Sequence, residues 1–104
     1  MNEKELLDRV AKVILETAQP RRIVLFGSRA RGESNPDSDF DLLVIMPDGT
    51  CTEEIDRQIR RRLIDPHVSY DILVLTESGY HDKSQEGWLF FAEIERDGRI
   101  LYAA

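Results

Sequence analysis

Residues 27–41 read Gly27-Ser28-Arg29-Ala30-Arg31-Gly32-Glu33-Ser34-Asn35-Pro36-Asp37-Ser38-Asp39-Phe40-Asp41, and the two ends of this stretch decide how the chain folds. Before it, Ile23-Val24-Leu25-Phe26 is a β-branched and aromatic run that stops at a glycine, the pattern of a buried strand running into a turn. From Asp39 to Ile45 the chain alternates, with Asp39, Asp41, Leu43 and Ile45 on one face and Phe40, Leu42 and Val44 on the other, which predicts a second strand starting at the acids. The residues between are Gly, Ser, Asn, Pro and charges, a loop with room for one helical turn around Arg29 to Gly32. If the end of the first strand meets the start of the second at one edge of a sheet, the two are antiparallel neighbours, and Ser28 lies close to Asp39 and Asp41.

Further upstream, Leu6, Leu7, Val10, Val13, Ile14 and Thr17 recur at spacings of three and four, an amphipathic helix over residues 3–18 that Pro20 stops. Downstream, Pro47-Asp48-Gly49 closes the second strand, and Thr52 offers an N-cap to a helix running to residue 65. That helix carries Ile55, Ile59 and Leu63 on one stripe, Glu53 to Arg57 and Asp56 to Arg60 as pairs four residues apart, and Arg60-Arg61-Arg62 at its C-terminal end. Tyr70 to Leu75 is a third strand, which a crossover through the helix makes parallel to the second and brings Asp71 alongside Asp39 and Asp41. A last helix is predicted over residues 84–97, with Gly98 at its C′ position, and Arg99 to Tyr102 as a short edge strand. The expectation is an α/β (α+β) domain spanning residues 1–104, two-layered, with a mixed sheet of about four strands packed against helices.

At 104 residues with 41% hydrophobic side chains, the chain has enough apolar surface for one modest core and none to spare for two. A formal net charge of -6 argues against a protein that holds nucleic acid by neutralising phosphates in bulk. Cys51 is a lone cysteine and cannot form an internal disulfide, and Met1-Asn2-Glu3-Lys4-Glu5 resembles no secretory leader, so a reducing cytoplasm is expected. Apolar runs such as Leu42 to Met46 and Trp88 to Ala92 are far too short to span a bilayer.

Chemistry concentrates in the opening stretch. Asp39 and Asp41 project from one face of a strand, and like charges that close raise each other's pKa unless a cation sits between them. Hard carboxylate oxygens without His or Cys favour Mg²⁺. Gly27 permits a sharp turn, Ser28 can donate its hydroxyl, and the backbone N–H groups that follow can face an anion. Asp71, an acid in an otherwise apolar run, is read either as a third member of this group or as a buried acid paired with an arginine. Three acids beside a phosphate-holding turn are the equipment of two-metal phosphoryl or nucleotidyl transfer. Gly27-x4-Gly32-Glu33-Ser34 has P-loop spacing, but Glu33 stands where the lysine is required and would repel phosphate.

Gly27-Ser28, ten residues, Asp39-x-Asp41 and a single Asp71 on a later strand closely resemble the nucleotidyltransferase superfamily that includes DNA polymerase β and the aminoglycoside nucleotidyltransferases. The whole chain, down to Ile94-Glu95-Arg96-Asp97-Gly98 and Leu101-Tyr102, looks like the minimal nucleotidyltransferase branch. This resemblance implies that Asp39, Asp41 and Asp71 are catalytic and hold two Mg²⁺ ions, with Asp71 helping to activate the acceptor hydroxyl. It also implies that Gly27 and Ser28 hold the triphosphate of ATP; Arg29 is counted with them as a nucleotide-binding candidate. Many minimal members are antitoxins encoded beside a HEPN-domain ribonuclease toxin, and some transfer AMP from ATP to a tyrosine of that toxin. The resemblance thus implies a hetero-oligomer with a HEPN toxin. Two other readings stay open: an antitoxin that neutralises by binding alone, and nucleotidyl transfer to a small molecule or RNA.

Other residues carry plainer expectations. Asp37 is read as capping the turn after Pro36, Arg29 and Arg31 as either triphosphate contacts or solvated loop cations, and His67 and His81 as surface residues. The segment Trp88 to Ile94 is apolar on more than one face, which suggests a protein interface beside its core packing.

Overall fold

The structure, a computed structural model, describes residues 2–104; Met1 lies outside the described residues. Helix α1 (Glu3–Ala18) starts where Asn2 Oδ1 accepts the Glu5 amide at 2.8 Å and ends where Gln19 turns left-handed just before Pro20. The chain then runs through β1 (Arg22–Phe26), a four-residue helix α2 (Ser28–Arg31), β2 (Phe40–Met46), α3 (Thr52–Arg62) and β3 (Tyr70–Thr76). It finishes with α4 (Glu77–Gln85), α5 (Leu89–Asp97) and β4 (Arg99–Ala103).

The four strands form one mixed sheet in the order β3-β2-β1-β4. As expected, β1 and β2 are antiparallel, β2 and β3 are parallel, and β4 is an edge strand; the structure pairs it antiparallel with β1. The alternation read from β2 separates two cores. Phe40, Leu42, Val44 and Met46 face α1 and α3, where Leu7, Val10, Ile14 and Ile59 are buried. Leu43 and Ile45 face the other way, against Tyr80 of α4 and Phe91 and Ile94 of α5. Helices therefore pack on both faces of the sheet.

Several local expectations are corrected. The helix predicted over residues 84–97 is two helices: Gly87 at φ +76° breaks the chain between α4 and α5. α4 starts earlier, at a cap where Thr76 Oγ1 accepts the Gly79 amide at 3.1 Å and Asp48 of the β2–α3 turn accepts that of Ser78 at 2.9 Å. Gly98 does follow α5, but with extended rather than left-handed geometry. Cys51, not Thr52, is the N-cap of α3, and the helix ends at Arg62 instead of residue 65. Arg57 pairs with Glu54 rather than Glu53, while the Asp56 to Arg60 pair forms as expected. The arginine run at the end of α3 is partly spent internally: Arg60 donates to the Ile72 carbonyl at 2.8 Å, and Arg62 reaches Thr17 and Glu16 on α1.

Candidate active site

Parallel pairing puts Asp41 directly beside Asp71 in register, with Phe26 of β1 as the partner of Asp41 on its other side. Neighbouring strands lie about 4.8 Å apart, so the two carboxylates share one small region at the sheet's end. Asp39 precedes β2 by one residue and is exposed. Its charge still reaches Asp41, whose carboxyl is held above its ordinary value first by burial, then by Asp71 and then by Asp39, with Arg31 opposing. Asp71 is exposed and makes no ion pair among the described residues, so the reading of it as a buried acid paired with an arginine does not hold.

Gly27 shapes the floor. Its φ of +74° is left-handed territory, and a β-carbon there would stand 2.1 Å from Asp41 Oδ2. The sharp turn expected from the sequence is therefore also a close approach between backbone and carboxylate. Gly27→Ala should retain the fold while displacing the Asp41 side chain, and we expect an activity loss of about a hundredfold with little change in circular dichroism. Unchanged activity would show that Asp41 has room to move without consequence.

A pocket of about 230 Å³ opens here, lined by Phe26, Gly27, Arg31, Asp41, Asp71, Phe90, Glu93 and Ile94. Its far wall is α5, a contribution that strand-and-turn reading could not place because the helix is distant in sequence. Phe26 and Phe90 meet edge to face with ring centroids 5.5 Å apart, which makes that wall apolar. Arg31 lines the pocket and also pairs with Glu33 at 3.1 Å.

Ser28 opens α2 directly after Gly27, whose carbonyl accepts the amides of Ala30 and Arg31 at 3.1 and 3.2 Å. Arg29 is placed differently from Arg31. Its Nε and Nη2 donate to the Ser38 carbonyl at 3.2 and 2.9 Å, and its guanidinium lies 4.2 Å from the Phe40 ring centroid. It clasps the 32–38 loop and does not line the pocket of Asp41 and Asp71. The turn after Pro36 is likewise held by other groups than expected: Asn35 accepts the Asp37 amide and Ser38 Oγ accepts that of Asn35, at 2.9 and 3.0 Å.

Among the described residues, no three His, Cys, Asp or Glu side chains already form a cage that could hold a metal ion. The donor set nonetheless fits Mg²⁺. It consists of hard oxygens whose mutual repulsion a cation relieves, and Mg²⁺ is ordinarily held by one or two carboxylates with waters and substrate phosphates completing its shell.

The chain belongs to the nucleotidyltransferase domain family, which it matches over residues 7–100. Among curated proteins it is 29% identical, over 98% of its own length and 100% of the other, to a candidate protein adenylyltransferase of Methanocaldococcus jannaschii. Solved structures of the same fold include a candidate nucleotidyltransferase from Sulfolobus solfataricus, with a TM-score of 0.61 and 20% identity over 95% of this chain and 78% of that one. A toxin–antitoxin structure with AMP-PNP superposes with a TM-score of 0.62 and 18% identity, over 94% of this chain and 73% of that one. A mutant of the MntA-HpeT toxin–antitoxin pair gives 0.59 and 14%, with the same coverage.

Proposed function

We propose that this nucleotidyltransferase moves AMP from ATP to a tyrosine hydroxyl of a partner protein, releasing pyrophosphate, as the antitoxin of a toxin–antitoxin pair with a HEPN-type toxin. The observation that carries the transfer chemistry is the register of Asp41 beside Asp71 over the Gly27 floor. The protein acceptor is supported by the name of the Methanocaldococcus relative, and the toxin by the assemblies in which two of the structural neighbours occur. The cytoplasm, which supplies ATP and Mg²⁺, is the compartment that suits this role.

Asp39, Asp41 and Asp71 are the residues that would hold two Mg²⁺ ions, which supply charge neutralisation at the phosphates and a Lewis-acidic contact to the acceptor oxygen. Gly27 leaves its space empty for the Asp41 carboxylate, and Ser28 offers a hydroxyl to the triphosphate. Arg31, on the pocket wall, is the cation placed to receive charge building up on the leaving pyrophosphate. Phe26 and Phe90 give the pocket one apolar side.

The partner is expected to seat on the apolar start of α5, where Trp88, Leu89 and Phe90 are 56%, 70% and 41% exposed beside the pocket. Trp88→Glu should leave folding intact and weaken partner binding by at least about thirtyfold, read by co-purification and titration. Unaltered binding would move the interface elsewhere.

The test of the function is ATP labelled at its α-phosphate, given with Mg²⁺ to a lysate containing the neighbouring gene product. Label should appear on one protein band with wild type, and not with Asp39→Asn/Asp41→Asn or after chelation. A stable complex without label in any sample would favour an antitoxin acting by binding alone, and label in small-molecule or RNA fractions would replace the protein acceptor.

A further inference from the structure

Asp39 stands one residue before β2 and is exposed, and its carboxylate makes no ion pair among the described residues. The ladder that holds Asp41 stops short of it: pairing with β3 starts at Phe40, whose amide meets the Ser69 carbonyl at 2.9 Å. One side chain grips the chain on both sides of Asp39. Arg29 Nε and Nη2 donate to the carbonyl of Ser38, the peptide that leads into Asp39, at 3.2 and 2.9 Å. The same guanidinium lies 4.2 Å from the ring centroid of Phe40, the residue that follows. A longer contact from Nη2 to the Pro36 carbonyl, at 3.4 Å, extends the grip back into the loop.

We propose that Arg29 is a positioning residue that fixes the backbone of Asp39, and with it the direction in which the Asp39 carboxylate is presented, an assignment that rests on the adenylyl-transfer reading above. Arg29 belongs to α2 and follows Ser28 directly, so its side chain ties the start of the Gly27-Ser28 turn to the first acid, ten residues beyond that pair. The guanidinium is half-buried and is spent on carbonyls and an aromatic face rather than on a carboxylate, which leaves the Asp39 charge available to a ligand. It lines the cavity that contains Leu6, Phe40 and His67, whereas Gly27, Asp41 and Asp71 line another. A loop residue holds reactive geometry only as well as its support does, and a displacement of about 1 Å at a reacting group can cost about a hundredfold in rate. Arginine suits the task because its planar fork meets one carbonyl through two N–H groups while its face lies on a ring, an arrangement that a lysine ammonium cannot reproduce.

The test uses the full chain labelled with ¹⁵N, together with the α-labelled ATP assay and the acceptor protein that it finds. In Arg29→Met, which keeps the stem and loses the fork, the amide order parameter of Asp39 should fall from the rigid range of about 0.85 to below about 0.6, with those of β1 and β3 unchanged. The value of kcat should fall by about thirtyfold or more while KM for ATP stays within about twofold. Arg29→Lys, which keeps the charge and guards against a general loosening of the fold in Arg29→Met, should show the same pattern and recover only a small part of the rate. An Asp39 amide as rigid in both variants as in wild type overturns the assignment. A raised KM with kcat unchanged also overturns it, makes Arg29 a nucleotide contact and leaves adenylyl transfer standing. A wild type that transfers nothing overturns the adenylyl-transfer reading, and the order parameters then decide alone whether Arg29 fixes Asp39.

Discussion

Asp41→Asn is expected to reduce nucleotidyl transfer by at least about a thousandfold and, in the same protein, to raise thermal stability in the absence of divalent cations. The two effects share one cause. In the folded chain the Asp41 carboxylate is partly desolvated and faces Asp71 and Asp39, and all three influences favour its protonated form. A folded-state value raised above the ordinary 3.8 means that the stability attached to this group is complete below 3.8 and declines as the pH rises through the raised value. At neutral pH the metal-free protein therefore carries a penalty that an amide does not. Solvent screens much of it, so the gain should be roughly 0.5 kcal/mol, or about 2–4 °C in melting temperature. The gain should vanish in acid below the ordinary carboxylate range, and paired melts with a chelator at the two pH values check this. A destabilised Asp41→Asn at neutral pH would show that Asp41 makes a favourable contact that outweighs its neighbours.

Gly98→Ala should be the most damaging small substitution for the fold. Gly98 has φ -62° and ψ 141°, angles that alanine adopts freely, so backbone freedom is not the reason for glycine here. Space is the reason: a β-carbon would stand 2.5 Å from the Ile94 carbonyl oxygen and 2.8 Å from Val24 Cγ1. That carbonyl accepts the Gly98 amide at 2.8 Å and belongs to helix backbone, while Val24 is buried in the sheet, so neither yields without lifting the end of α5. We expect a loss of about 2–3 kcal/mol, seen as a drop of roughly 10–20 °C in melting temperature. Because α5 also carries Phe90 and Glu93, activity should decline even below the new melting point. A change of less than a few degrees would mean that α5 slides without cost.

The strands and their pairing were legible because each advertises itself locally: β-branched runs, the alternation through Asp39 to Ile45, and a helix between β2 and β3 that forces parallel pairing. That pairing was enough to anticipate Asp71 beside Asp41. α4 was missed because Glu77 to Gln85 buries only Tyr80 and so has almost no periodic signal, although Thr76 before Glu77 was a readable cap and Gly87 a readable break. Arg29 and Arg31 looked equivalent in sequence. They separate only in space, where Arg29 faces Phe40 and the loop carbonyls while Arg31 turns to the carboxylates. Glu93 had no local signal at all. It reaches the pocket because of the angle at which α5 returns across the sheet, a tertiary property that spacing along the chain does not encode.

The parallel pairing of β2 with β3 also makes the site a late product of folding. Phe26, Asp41 and Asp71 come from three separate strands, and the last two are joined by a whole crossover that must be ordered before they meet. Closing so long a segment is entropically slower than closing the shorter loop of the β1–β2 ladder. A chain halted before β3 docks keeps Asp39 and Asp41 on one segment but lacks Asp71 beside them, so on the proposed reading a truncated or misfolded copy is expected to be inert rather than indiscriminately reactive toward other hydroxyls.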